Sequence, residues 1–133
     1  DVYKRQELFG APFGLYGFSR FFTAENTINP TLSPSFKPVD EVKVELYLRS
    51  YTLASDTDAW VRGGAAVPGG RRDPLGSSGR HIGEEIDLRV RWQANDQLLF
   101  NTGLAHFIPG GFVDETGLSE NSTLAYLQGT FDF

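Results

Sequence analysis

Cysteine is absent from the 133-residue chain. That excludes disulfide scaffolds, zinc–thiolate centres and thiol nucleophiles together. Methionine is absent too, even at position 1. The chain opens Asp1-Val2-Tyr3-Lys4-Arg5-Gln6, which reads as the start of a mature or truncated piece of a longer protein. That opening also resembles sequencing-adaptor read-through, so residues 1–6 are treated as extraneous and receive no structural weight. Basic residues are outnumbered 12 to 17, for a net charge of −5, and nucleic acid is a poor partner because phosphate binding needs a basic footprint. No run approaches the roughly 18 to 20 apolar residues of a membrane helix, and no signal peptide is visible. Helical 3.6 periodicity is hard to find anywhere. What remains is one domain by length, with 40% hydrophobic and 22% charged residues, a balance that argues against wholesale disorder.

Aromatics make up 14% of the chain, with 11 Phe, and glycine reaches 15. Such a composition suits β-structure, and period-two alternation is plain. In 39–54, Val42, Val44, Leu46 and Leu48 face one way; Glu41, Lys43, Glu45, Tyr47, Arg49 and Tyr51 face the other. In 82–93, Ile86, Leu88, Val90 and Trp92 oppose Glu85, Asp87, Arg89, Arg91 and Gln93. Residues 97–108 set Leu98, Phe100 and Leu104 against Asn101, Gly103 and Ala105. Residues 123–133 set Ala125, Leu127, Phe131 and Phe133 against Tyr126, Gln128, Thr130 and Asp132. These runs of about 11 to 16 residues exceed the usual globular strand of about 5 to 6. A strand tilted across a bilayer needs about 9 to 11.

The connections alternate in length. Residues 55–81 and 109–122 are long loops, whereas Ala94-Asn95-Asp96 has hairpin chemistry. Long loops at one end and short turns at the other are the pattern of outer-membrane barrels. With Trp92 opposite Leu98, and Leu104 opposite Leu127, one register keeps apolar residues together across three strands. It also gathers Trp92, Phe100, Phe131 and Phe133 at the short-turn end, where an interfacial aromatic girdle belongs. Gly14-Leu15-Tyr16-Gly17-Phe18 and Phe21-Phe22 are apolar without firm alternation. Pro30, Pro34 and Pro38 predict a bent or edge strand near 27–37.

At His81-Ile82-Gly83-Glu84-Glu85-Ile86-Asp87-Leu88 the chain resembles the alginate-export outer-membrane porin family. So it does at Ser35-Phe36-Lys37-Pro38, at Asp58-Ala59-Trp60 and at His106-Phe107-Ile108-Pro109-Gly110-Gly111-Phe112-Val113. The resemblance covers roughly 26–133. It implies an antiparallel transmembrane barrel in the bacterial outer membrane, passing polysaccharide, alginate above all, and having more strands than this chain holds. The expectation is therefore an all-β antiparallel meander of about four to six strands, the C-terminal part of such a barrel, with residues 1–133 as one segment. The expected partners are outer-membrane lipid, the barrel-assembly machinery, and a polysaccharide or small solute. Outer-membrane proteins usually end in an aromatic residue on a strand, which makes Phe131 and Phe133 the assembly signal. The glycine usual five residues before the end is replaced here by Gln128, with Gly129 beside it.

Catalytic chemistry is not visible, and no enzyme, cofactor or metal is expected. Glu84 and Glu85 are adjacent on a strand, so they point to opposite faces and cannot flank one glycosidic bond. His81 and His106 lack companion ligands; in the chosen register His106 lies opposite Glu84, as a rim ion pair. The glycines from Gly63-Gly64 to Gly69-Gly70 lack the Lys-Ser/Thr ending of a phosphate loop. Trp60 and the Arg71-Arg72 pair sit in the long loop, as solvated residues or as contacts for a sugar ring and an anion.

The polar face carries what function the residues suggest. Strands 39–54 and 82–93 are antiparallel neighbours joined by one loop. A symmetric loop base sets Arg49 opposite Asp87, Tyr47 opposite Arg89 and Glu45 opposite Arg91; a two-residue slip sets Arg49 by Glu85 and Glu45 by Arg89. In either register Arg49, Arg89, Arg91 and Lys43 form a basic track for sugar carboxylates, Tyr47 offers a ring, and Glu45, Glu85 and Asp87 hold the arginines. A plain charge ladder satisfying a polar wall is the alternative. The alternative at the level of fold is a soluble β-sandwich carbohydrate-binding module, because a sandwich strand also has one apolar face.

Overall fold

The computed structural model describes residues 26–60, 71–117 and 119–132. Strands β1 (Thr27–Ile28), β2 (Thr31–Leu32) and β3 (Ser35–Val39) are short. Strands β4 (Val42–Leu53), β5 (His81–Asn95), β6 (Leu98–Pro109) and β7 (Ser122–Phe131) are long. A helix, α1 (Gly111–Thr116), lies between β6 and β7. All pairings are antiparallel, and β4, β5, β6 and β7 follow one another across the sheet as a meander. Gly14-Leu15-Tyr16-Gly17-Phe18, Phe21-Phe22, the glycines between Gly63 and Gly70, and Phe133 lie outside the described residues.

The expected bent edge strand is present in three pieces. β1, β2 and β3 pair in turn with β4, and Pro30 and Pro34 mark the breaks. Proline has no N–H to give the ladder, but its carbonyl still accepts. Ser50 N donates to Pro30 O at 3.3 Å and Leu46 N to Pro34 O at 3.0 Å. Pro38 falls where the β3–β4 register shifts between Phe36 and Val39.

The hairpin joining β5 and β6 is tighter than the sequence suggests. Asn95 ends β5, and only Asp96 and Gln97 form the turn. Gln97 N donates to Asn95 Oδ1 at 3.0 Å, an Asx turn that closes the tip. At the tip Asn95 faces Leu98; Gln93 then faces Leu99, so Ala94 is bulged out. The tip register alone would set Trp92 against Asn101 and mix the two faces, and the extra residue restores them. The outcome is Trp92 opposite Phe100 and Leu88 opposite Leu104, two residues from the expected register. β7 is displaced likewise: Leu104 faces Ala125 and Leu98 faces Phe131. The apolar rows survive because a two-residue slip preserves the face. His106 now faces Ile86, and Glu84 faces Ile108. The rim pair is thus replaced by a contact of 2.7 Å between His106 Nδ1 and the Thr123 hydroxyl.

Both long loops leave the same end of the sheet, with the Asp40-Glu41 and Asp96-Gln97 turns at the other. At the long-loop end the β4–β5 ladder also bulges, between Tyr51 and Thr52. Gly83 sits there at φ 149°, and a Cβ on it would stand 2.3 Å from Ile108 O, so only glycine fits. The irregularity turns Ile82 inward to join Tyr51, Leu53, Trp60, Phe107, Phe112 and Val113 in a small apolar core. Within the 71–80 stretch, Asp73 accepts from Ser78 N, Ser77 Oγ, Leu75 N and Ser78 Oγ. Those four donors hold its carboxyl well below the usual carboxylate range.

Candidate functional site

Burial divides the sheet opposite to a water-soluble sandwich. Glu45, Arg49, Glu85, Asp87 and Asn101 are buried, with Glu85 and Asp87 at 0% exposure. Leu48, Ile86, Leu88, Trp92, Leu104 and Leu127 are exposed, Leu127 at 76%. The charged face is therefore the inner one and the apolar face the outer. Unpaired charge inside a protein is expensive, so the buried charges of the inner face need partners, and its rows show which they have.

Cross-strand register sorts the inner face into levels. Toward the short turns, Lys43, Arg91, Asn101 and Gln128 form one row. Next come Glu45, Arg89, Gly103 and Tyr126; then Tyr47, Asp87, Ala105 and Leu124; then Arg49, Glu85, Phe107 and Ser122. The slipped register is the one adopted, with Arg49 opposite Glu85 and Glu45 opposite Arg89, so the symmetric loop base is corrected. The bulge between Tyr51 and Thr52 sets the offset.

The ion pairs do not simply follow the register. The Arg49 guanidinium reaches diagonally to the Asp87 carboxylate, both fully enclosed, and lies 4.6 Å over the Tyr47 ring. One face of Tyr47 thus holds an arginine. Glu45 serves two cations, Lys43 Nζ at 2.7 Å and Arg89 Nη1 at 3.9 Å. Arg89 Nη2 also donates to Asn101 Oδ1 at 3.5 Å. A close approach completes the level: a Cβ on Gly103 would fall 2.5 Å from the Tyr126 ring, so the ring lies directly over the glycine. Along β4 to β7 the inner face holds four cations, Lys43, Arg49, Arg89 and Arg91, against three carboxylates, Glu45, Glu85 and Asp87. Asn101 and Gln128, which join this site, carry no charge and were invisible to a reading built on charge.

The loop candidates have a different place. Trp60 is buried, not solvated and not open to a sugar ring. Trp60 and Arg71 exchange backbone hydrogen bonds of 2.8 and 3.1 Å, and the Arg71 guanidinium lies 5.9 Å over the indole. Arg71 Nη1 donates to Val113 O at 3.0 Å, which fastens α1 to the other loop. Arg72 Nε donates to Thr57 O at 2.7 Å. These residues build the apolar cap at the long-loop end. His81 packs on Gly110, and no cluster of three or more potential metal ligands occurs among the described residues. Phe131 is exposed on the outer face, opposite Leu98. Trp92 and Phe100 stack beside it, ring centroids 5.5 Å apart.

No curated protein and no solved structure matches the chain. One family does: that described as Alginate export, over residues 5–126.

Proposed function

The chain belongs to the alginate export family, and from that premise we propose that its sheet is a wall segment of an outer-membrane barrel through which an anionic polysaccharide passes. The family's role is transport rather than catalysis. The observation that carries the channel reading is the inverted burial: charges inside, leucines outside. A sandwich module would bury Leu46, Leu88 and Leu104 against a second sheet, and among the described residues there is none. In this reading the outer face meets hydrocarbon, the inner face lines the lumen, and the long loops lie on the extracellular side.

The lumen residues are Arg49, Arg89, Arg91, Lys43 and Tyr47, with Glu45, Glu85 and Asp87 as supporting carboxylates. Their excess of one positive charge favours a polyanion over a neutral or cationic solute. The enclosed Arg49–Asp87 pair serves the wall, while the positions nearer the short turns serve the track. Conductance of the intact barrel tests the reading. Arg89→Glu with Arg91→Glu should shift ion selectivity toward cations and weaken block by uronate oligomers. Selectivity and block both unchanged would refute the track.

A further inference from the structure

The charges on the inner face do not all close among themselves. Arg49 and Asp87 pair, and Arg89 and Lys43 share Glu45. Arg91 is half-buried on the same face, and among the described residues no ion pair or hydrogen bond is made by its guanidinium. It stands directly opposite Lys43. Like charges directly opposite on a ladder are destabilising; of the flanking carboxylates Glu45 is already divided between two cations, and Glu41, in the turn before β4, makes no ion pair with either among the described residues. The same row continues into Asn101 and Gln128. Two cations followed by two amides form a line of donors along the sheet, with strands spaced at about 4.8 Å, so the row spans roughly 14 Å between its ends.

We propose that the row Lys43–Arg91–Asn101–Gln128 is a subsite for a uronate sugar, whose carboxylate sits between Lys43 and Arg91 while the amides meet its hydroxyls. The proposal rests on the channel reading above and narrows it from a track to one level. An anion there removes the repulsion between the two cations, and the planar guanidinium can take both carboxylate oxygens. Amides suit hydroxyls because each offers both donors and an acceptor. Arg89 is a positioning residue: its hydrogen bond to Asn101 Oδ1 fixes the amide so that its NH2 group is directed elsewhere. Arg49 lies three levels away, committed to Asp87, and takes no part.

Single-channel recordings of the intact barrel containing this segment test the assignment, with uronate oligomers, a neutral oligosaccharide of equal length and inorganic phosphate as blockers. Wild type should be blocked by uronate at about tenfold lower concentration than by either control, the scale of one charge-assisted hydrogen bond. Arg91→Gln and Lys43→Gln should each weaken uronate block about tenfold. Together they should weaken it by less than the product, since both act on one carboxylate. Gln128→Leu should weaken uronate and neutral block alike. Heat-modifiable migration identifies variants that fold, and Arg91→Lys, which keeps the charge and loses the fork, should fall between wild type and Arg91→Gln. Unchanged uronate block in Arg91→Gln overturns the subsite, and the wider reading stands if the paired Arg89→Glu and Arg91→Glu substitutions still move selectivity. Phosphate blocking as well as uronate overturns the sugar assignment in favour of a bare anion site. No uronate-specific block in wild type overturns the subsite and the channel reading together.

Discussion

Asp87 and Arg49 neutralise each other in a place closed to bulk solvent. Arg49→Ala would leave the Asp87 carboxylate enclosed beside Glu85, which is also fully buried. Breaking a buried pair from one side costs about 3–5 kcal/mol. Denaturant unfolding of the reconstituted barrel should therefore show Arg49→Ala destabilised by about that much. Arg49→Met with Asp87→Leu, which removes both charges at similar volume, should recover most of the loss. Equal losses in the single and double variants would mean that packing, not charge, holds the site. Arg91 has no such partner among the described residues, and the same truncation there carries no comparable folding cost.

At the level of the strand, alternation specifies faces but leaves the pairing open. A shift of one residue flips every side chain, so the sequence excludes it. A shift of two changes no face, and Trp92 sits as well beside Leu98 as beside Phe100. That is why all four long strands and both of their faces were legible, while the β5–β6 and β6–β7 registers came out two residues away and the β4–β5 register took the second of the two that alternation allowed. The deciding features are local irregularities, the bulge at Ala94 and the break between Tyr51 and Thr52, which leave no mark in an apolar pattern. α1 was hidden for another reason: six residues make under two turns, too few for a helical period to appear. Phe112 and Val113 go in and Asp114 and Glu115 stay out, a pattern that loops show as readily as helices. The buried role of Trp60 depends on Arg71 and Val113, far along the chain, and nothing local announces it. The outer face yields a prediction of its own. Leu88 is 42% exposed at the centre of that face, and Leu88→Arg should lower bilayer stability by about 2–4 kcal/mol. Folding into lipid vesicles as stably as wild type would show that Leu88 does not meet hydrocarbon.

For the molecule as a whole, the open sides of the sheet matter most. β7 pairs with β6 alone among the described residues, and β1 to β3 pair with β4 alone. Unpaired ladder groups cannot face hydrocarbon, so in the channel reading further strands must close both sides. β7 carries Phe131 on its outer face, and with Phe133 it is the expected signal for the assembly machinery. Deleting both from the intact protein should lower the yield of heat-modifiable barrel in the outer membrane while synthesis continues. Unchanged yield would remove them from that role. The alternation that builds the two faces also governs how such a chain travels. Because a charged or polar neighbour separates most outward leucines, mean hydropathy stays at −0.28 and no helix among the described residues is long and apolar enough to cross a membrane. In the channel reading, an export apparatus that retains long greasy helices in the first membrane it meets meets alternating strands in the described residues instead, and a continuous apolar surface would arise only once those strands pair.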